Sequence, residues 1–218
     1  MVYDSLRDRV VLFGGDDGSL QSDTWEFDGT TWNQVNTANS PLARSEHAMA
    51  FDSVRGETVL FGGADANGNL RNDRWVYNGT NWTQASGPAG SRPPARMSHA
   101  MAFDAARARI VLFGGQTLTT PLADTWEHDG TSWTQITVTG TPPPTHTYHA
   151  MTYDSARHRV VVSGGTGATN ATLEYNGAQW LQVNTPTGPG GRELPAMAFD
   201  NRRNRCVLFG GDFLSDTW

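Results

Sequence analysis

The sequence predicts an all-β protein, a β-propeller in which four-stranded antiparallel sheets are arranged around an axis. Three repeated features predict this fold. A Gly-Gly pair recurs about every 50 residues, a short apolar run precedes each pair, and two large side chains lie seven positions apart around an Asp-Gly or Asn-Gly dipeptide. A fixed period of this size indicates a repeat architecture. The double glycines begin at Gly14, Gly62, Gly114, Gly164 and Gly210.

Each repeat contains four segments with the composition of strands, which we call a, b, c and d. Strand a is a short run ending in Asp, as in "HAMAFD" from residue 47. Strand b is the apolar run that ends at the double glycine, as in "TVLFGG" from residue 58, and such a run suits a strand buried on both faces. Strands c and d flank the turn of the tryptophan segments, as in "WVYNGTNW" from residue 75. Asn-Gly and Asp-Gly accept positive φ and therefore favour tight hairpin turns.

These segments predict one domain rather than several. A single four-stranded sheet cannot bury two apolar faces, whereas sheets stacked around an axis can. We therefore expect one propeller over residues 1–218, in which large side chains such as Trp82 pack blade against blade. The first repeat begins part-way through strand a, and the fifth is incomplete because it reaches only the start of strand c. The five repeats cover approximately residues 1–44, 45–96, 97–146, 147–192 and 193–218.

A double glycine after an apolar strand, followed by two aromatics seven positions apart, resembles the kelch repeat over essentially the whole chain. Trp25, Trp75 and Trp126 stand where that family more often has Tyr, and Leu173 takes this place in the fourth repeat. The resemblance implies a ring that usually closes with six or seven blades. We therefore expect further blades, or self-association with another copy, to complete the ring, because an unpaired sheet edge is prone to association.

Composition excludes several classes of protein. The chain has 16 basic and 22 acidic residues and a net charge of -6, which argues against a nucleic-acid-binding surface. No apolar run approaches the roughly 18 residues of a membrane helix, so membrane insertion is not expected. A single cysteine, Cys206, excludes an internal disulfide framework. Because the repeats look similar to those of bacterial secreted or surface proteins, we expect a secreted or cell-surface location.

The two ends of the propeller differ in their loops, and this difference predicts where a ligand binds. The a–b and c–d turns are uniform and share one end, which we call the turn face. The b–c loops vary from four to nine residues, the d–a connections are rich in Pro and Gly, and both lie at the other end, the loop face. Variable loops on a rigid frame usually carry function, and kelch ligands generally dock on this face. The candidate ligand-binding residues are Arg44, Arg71, Arg92, Arg96, His146, Tyr148, Arg192 and Glu193.

Residues that recur in every repeat are assigned to the scaffold. His47, His99 and His149 each begin strand a, and we expect them to satisfy backbone groups within their own blades rather than to bind a metal. The arginines of the a–b turns follow an Asp three residues earlier, as in Arg7 and Asp4, and are predicted to stabilise the turns through ion pairs or hydrogen bonds. The segment "DANGN" from residue 65 lacks the downstream Glu of a calcium loop and is predicted to be a polar turn. No metal and no cofactor is expected.

The function predicted from these patterns is non-catalytic binding, in which the loop face contacts a protein or a glycan. No nucleophile motif or phosphate-binding glycine loop is present in the sequence. The alternative is a sugar-modifying enzyme, since kelch-type propellers include copper-radical oxidases and sialic acid epimerases, with its site at the mouth of the central channel. An epimerase would draw its acid–base groups from Arg44, Arg96, Arg192 and Glu193, whereas Cys206 occupies a strand b position that suits a small buried apolar residue.

Overall fold

The computed structural model describes residues 1–86, 92–166 and 172–218, and these residues form strands and turns without a helix. None of them belongs to a helix that could cross a membrane. The strands are β1 (Val2–Asp4), β2 (Arg9–Asp16), β3 (Leu20–Phe27), β4 (Trp32–Val35), β5 (Arg44–Ser45), β6 (Ala48–Asp52), β7 (Glu57–Phe61), β8 (Ala64–Asp65), β9 (Arg74–Tyr77), β10 (Trp82–Ala85), β11 (Ala100–Asp104), β12 (Arg109–Phe113), β13 (Thr125–His128), β14 (Trp133–Ile136), β15 (Ala150–Asp154), β16 (Arg159–Ser163), β17 (Thr172–Tyr175), β18 (Trp180–Val183), β19 (Ala196–Asp200) and β20 (Arg205–Phe209).

The described strands form four complete antiparallel blades and a two-stranded fifth sheet, which confirms the predicted propeller. The four-stranded sheets are β1–β4, β6-β7-β9-β10, β11–β14 and β15–β18, and β19 pairs with β20 in the fifth sheet. Register is the same in each blade, so that Leu60 of strand b faces Trp75 of strand c as Leu112 faces Trp126. One boundary differs from the expectation. Residues 16–22 were predicted as a loop, but β2 and β3 extend into them past a register shift between Phe13 and Gly15, and the turn is shorter.

The predicted tryptophan packing is confirmed at three of the four complete tryptophan segments. The second tryptophan of the second, third and fourth blades is buried, namely Trp82, Trp133 and Trp180. Each belongs to a separate hydrophobic cluster that joins its own blade to the preceding one, as Trp82 packs with Phe13. Leu173 is buried in the cluster of the fourth blade despite replacing an aromatic. Trp32 differs because it is 45% exposed, on the side of the first blade that faces away from the second.

The predicted Asp–Arg contacts of the a–b turns are also confirmed. Asp4 accepts hydrogen bonds from the backbone amides of Leu6 and Arg7 and from the Arg7 side chain at 2.7 Å. The same pairing of Arg with an Asp three residues earlier occurs in the other repeats. These residues therefore close the turns and hold the turn face of every blade in one conformation.

Strand a of all five repeats surrounds a central cavity of about 680 Å³. Its walls are mainly apolar, as with Met49, Met101 and Met151, and the a–b turns lie at one end. The first strands of neighbouring blades pack against one another in chain order. The start of each strand a lies toward the loop face, away from the a–b turns.

Candidate protein-docking face

The buried arginines at the loop face act within the scaffold. Arg44 is fully buried, and its guanidinium donates to both carboxylate oxygens of Asp73 at 2.7 and 2.9 Å and to the carbonyl of Gly62 at 2.9 Å. Arg96 and Arg192 make the same contacts with the equivalent aspartate and glycine of the repeat that follows each of them. These three guanidinium groups therefore donate their hydrogen bonds within the scaffold.

His146 takes the place of this arginine directly before the fourth repeat. Its ring is buried, its Nδ1 lies 3.0 Å from the carbonyl oxygen of Pro144, and it packs against the rings of Phe113 and His149 at centroid distances of 5.7 and 5.8 Å. Burial lowers the pKa of His146 below its ordinary value, so the ring is neutral at pH 7. The His146 ring is therefore packed inside the protein beneath the loop face, where it does not present a hydrogen-bond donor to a ligand.

Four residues that directly precede strand a on the loop face have left-handed backbone conformation, and we call them the rim. These residues are Glu46, Ser98, Tyr148 and Leu194, with φ between 55° and 58°. Backbone hydrogen bonds join them in chain order: Ser98 N donates to Glu46 O at 3.0 Å, Tyr148 N to Ser98 O at 3.0 Å, and Leu194 N to Tyr148 O at 2.8 Å. Left-handed conformation is costly for residues other than glycine, and where it is retained it often marks a functional position.

The side chains of the rim differ from one blade to the next. The Ser98 hydroxyl donates to the Glu46 carboxylate, Gln116 Nε2 donates to the Tyr148 hydroxyl at 3.3 Å, and Leu194 is 70% exposed. Of these four residues, sequence reasoning selected only Tyr148 and missed Glu46, Ser98 and Leu194. The signal was present, because all four residues precede the first residue of strand a at one place in the repeat, with a different side chain each time.

Glu193 lies at the same rim, beside the b–c loop of the fifth repeat. Its carboxylate accepts a hydrogen bond from the Thr166 hydroxyl at 2.9 Å, and its backbone exchanges hydrogen bonds with Asp212 at 3.1 Å. Phe213, which follows Asp212, has a completely exposed side chain. The rim therefore combines a carboxylate with exposed apolar side chains in this region.

Arg71 and Arg92 lie on the loop face of the second repeat and are half-buried. Arg71 forms an ion pair with Asp65, whose carboxylate also accepts the amides of Asn67 and Asn69 at 2.9 Å each. Burial opposes ionisation of Asp65, but these hydrogen bonds outweigh it and lower its pKa to about 2. The Asp65 carboxylate thus stabilises the polar turn that the sequence predicts at this place.

The three histidines that begin strand a have a different role from the one expected. Each packs edge-on against the phenylalanine that ends strand b of the preceding blade, as His47 does with Phe13 at 5.7 Å. The expectation that they satisfy backbone groups within their own blades is wrong in this respect, since the Nδ1 atoms of all three have no hydrogen-bond partner. Burial lowers the pKa of His47 and His149 to about 3 and that of His99 well below its ordinary value. No group of three metal-ligating side chains occurs among the residues that the structure describes.

Comparison with known families decides the classification of this propeller. The family model of the KLHDC2/KLHL20/DRC7 Kelch-repeats domain matches residues 1–211. The chain belongs to the kelch-repeat family. No curated protein matches the sequence. The kelch propeller is in general a protein-interaction module, and this chain has the corresponding architecture of uniform blades with variable loops at one end.

Exposed apolar side chains are unevenly placed on this kelch propeller. Among the described residues of the loop face, five large hydrophobic side chains are exposed, namely Leu42, Leu118, Leu194, Phe213 and Leu214. At the a–b turns of the opposite end, Leu6 and Val54 are exposed as single side chains of neighbouring blades. Clusters of exposed apolar side chains rimmed by polar groups are typical of protein-binding surfaces. In the fifth repeat, the exposed residues Leu194 and Phe213 adjoin Glu193 and Asp212, which hydrogen-bond to each other, so apolar and polar groups lie together there.

Proposed function

We propose that this chain is a non-catalytic protein-binding module that contacts its ligand through the loop face. The observation that carries the proposal is the exposure of Leu194 and Leu118, each 70% exposed, together with Phe213, around a rim of unrepeated polar side chains. Burying an exposed leucine side chain on binding contributes about 1.5–3 kcal/mol. A few such anchors are enough to dominate the affinity of a protein interface.

The polar rim gives the proposed surface its specificity. Tyr148 combines a ring with a hydroxyl, and aromatic residues of this kind are enriched at protein interfaces. Glu193 carries a negative charge that is half-buried and bonded to Thr166. A ligand with an apolar side chain flanked by a hydrogen-bond donor or a basic group would complement this arrangement. The left-handed backbone of the rim is preorganised by its own hydrogen bonds, which lowers the cost of ordering on binding.

Two alternatives from the sequence are less well supported. A sugar-modifying enzyme would use Arg44, Arg96, Arg192 and Glu193 near the axis, but the three arginine side chains are buried and each is paired with an aspartate. A glycan ligand calls for a surface richer in free polar donors than in exposed leucines. Neither alternative has a specific contact in its favour, so the peptide or protein ligand is the proposal.

A peptide screen tests the proposal. The immobilised chain is used to select binders from a random peptide library displayed on phage, and the dissociation constant of a selected peptide is measured by fluorescence anisotropy. Replacing the anchors, in Leu194→Ser and Leu118→Ser, should each weaken binding by about tenfold, which corresponds to about 1.4 kcal/mol. The melting temperature should be unchanged because both side chains are exposed.

The chain supplies matched controls for this experiment. Leu6 and Val54 are 66% and 62% exposed on the turn face. Leu6→Ser and Val54→Ser therefore remove similar apolar surface from the end of the propeller opposite the proposed binding surface. These variants should bind the peptide as the parent does. Loss of binding in the turn-face variants with retention in Leu194→Ser would contradict the proposal. So would a chain that selects no peptide but binds a glycan on an array.

A further inference from the structure

The two ends of the propeller expose opposite members of their repeated ion pairs. At the turn face the aspartate is buried, so that the side chain of Asp4 is 3% exposed whereas that of its partner Arg7 is 31% exposed. At the loop face the order is reversed, because the side chain of Arg44 is fully buried and that of its partner Asp73 is 18% exposed. The other pairs of each kind show the same contrast. These pairs therefore present positive charge at the turn face and negative charge at the loop face.

Further carboxylates of the loop face take part in no ion pair among the residues that the structure describes. Within that part of the chain they accept hydrogen bonds only from uncharged donors, as Asp16 does from the Gly18 amide at 2.9 Å. These carboxylates belong to Asp16, Asp17, Glu46, Glu193 and Asp212. Of the two remaining arginines of this face, Arg71 is paired with Asp65, and Arg92 adds one positive charge. Negative charge therefore exceeds positive charge at the loop face.

Two of these carboxylates are held in place at the rim by hydroxyl groups. The Ser98 hydroxyl donates to Glu46, and the Thr166 hydroxyl donates to Glu193 at 2.9 Å. Both hydrogen bonds cross a seam between neighbouring blades. A hydroxyl donor orients a carboxylate but brings no positive charge to it. Each of these side chains is therefore positioned while its negative charge remains available to a cation of the ligand.

The rim also carries an aromatic ring and an exposed leucine. Tyr148 and Leu194 are joined by a backbone hydrogen bond of 2.8 Å, and the Leu194 side chain is 70% exposed. Glu193 directly precedes Leu194 in the chain, and the backbone of Ser98 links Tyr148 to Glu46. An apolar ligand side chain that packs against Leu194 and Tyr148 therefore has a carboxylate of the rim region on each side.

We propose that the ligand of the loop face is a basic segment of another protein, with an arginine or lysine on each side of an apolar side chain; this inference rests on the proposed function. The apolar side chain packs against Leu194 and Tyr148, and the flanking cations bind Glu46 and Glu193. Hydrogen bonds between a cationic donor and a carboxylate are about twice as strong as those between neutral groups. The opposite charges of the two ends also direct a basic segment to the loop face and repel an acidic one from it.

Selection from a peptide library tests the charge of the ligand. The library consists of nonapeptides displayed on phage, with leucine at the central position and random residues elsewhere. Peptides retained by the immobilised chain should contain Arg and Lys about three times as often as the unselected library or more. When every Arg and Lys of a selected peptide is replaced by Gln, its dissociation constant should rise about tenfold or more. Raising the NaCl concentration from about 50 mM to about 500 mM should weaken the parent peptide more than the Gln peptide.

Conservative variants test the two carboxylates. Glutamine keeps an oxygen that accepts the hydroxyl hydrogen bond but removes the charge, so Glu46→Gln and Glu193→Gln should leave the melting temperature unchanged. Each should weaken binding of the selected peptide by about three- to tenfold, mainly through slower association, whereas Leu194→Ser should mainly speed dissociation. Asp8→Asn is the matched control, because Asp8 is an exposed carboxylate on the turn face and asparagine tolerates its positive φ. This control should bind the peptide as the parent does.

The outcomes separate this inference from the proposed function. Selected peptides that lose binding in Leu194→Ser but carry no excess of Arg and Lys would overturn the inference and leave protein binding at the loop face in place. Equal binding to the parent, Glu46→Gln and Glu193→Gln would do the same. Weakening in Asp8→Asn as large as in the two rim variants would also overturn the inference, because the attraction would then come from net charge alone. A library that yields no peptide bound at the loop face would overturn both.

Discussion

Removing the hydroxyl of Thr24 should destabilise the chain through a tryptophan in the next blade. Trp82 is fully buried and its indole Nε1 donates to Thr24 Oγ1 at 2.9 Å, with Thr24 itself buried. Thr24→Val keeps the shape of the side chain but leaves the indole N–H without an acceptor. A buried donor left unsatisfied costs about 1–3 kcal/mol. For a chain of this size, each kcal/mol lowers the melting temperature by roughly 2–4 °C.

The assay is urea denaturation followed by tryptophan fluorescence, with thermal unfolding as a second probe. Thr125→Val should behave alike, since Thr125 accepts the equivalent hydrogen bond from Trp180 at 2.9 Å. Thr30→Val is the control, because Thr30 is exposed on the turn face. If Thr24→Val and Thr125→Val both lie within about 0.5 kcal/mol of the control, the assignment of these threonines to the blade seams is refuted.

Two further predictions concern the seams and the buried histidines. Between the first and second blades Tyr77 donates to Glu26, and between the third and fourth Tyr175 donates to Glu127, whereas Val76 and His128 stand at these places between the second and third blades. Val76→Glu combined with His128→Tyr should build the same contact there, and a double-mutant cycle in urea should show a favourable coupling of about 0.5–3 kcal/mol. A coupling near zero would argue against a stabilising role of this contact. Because burial lowers the pKa of His47 and His149 to about 3, the unfolded chain binds protons below pH 6.5 that the native chain does not. The free energy of unfolding should be at its full value above pH 6.5 and should fall toward pH 3 by about 1.4 kcal/mol per pH unit for each histidine. Urea titrations between pH 7 and pH 4 would measure this decrease. In His149→Gln the decrease per pH unit should be smaller.

Local patterns were sufficient to predict the strands, because the signals lie within a few residues of one another. The apolar run before Gly62 and the Asn78-Gly79 dipeptide each specify a strand end or a turn through their own conformational preferences. The Asp4–Arg7 contact was predictable for the same reason, since its two members lie three residues apart. The fold class followed from repetition of these local signals.

Contacts across the seams were not predictable in the same way. Glu26 and Tyr77 are hydrogen-bonded although they lie 51 residues apart in the sequence, and their pairing depends on which faces of neighbouring blades oppose each other.

The sequence does contain a signal for the buried role of Arg44. Arg44 and Asp73 recur at equivalent places as Arg96 with Asp124, so the rule that repeated residues serve the scaffold applies to them as it does to Arg7.

The rim was predictable only in part. Tyr148 departs from the repeat pattern and was selected for that reason, but its left-handed conformation is shared with Glu46, Ser98 and Leu194. That conformation is imposed by backbone hydrogen bonds between blades, which depend on how the blades are arranged around the axis. The exposure of Leu194 likewise depends on the neighbouring loops and has no local sequence signal.

The central claim is that repeated residues hold the scaffold while unrepeated residues of the loop face contact a protein ligand. A saturation mutagenesis library of the displayed chain tests it most directly when scored twice, once for protease resistance and once for binding of a peptide selected on the parent. Substitutions at Glu46, Tyr148, Glu193 and Leu194 should reduce binding and leave protease resistance intact, whereas substitutions at Trp82 should reduce both. If every substitution that reduces binding also reduces protease resistance, or if the specific binding losses map to the turn face, the account is contradicted.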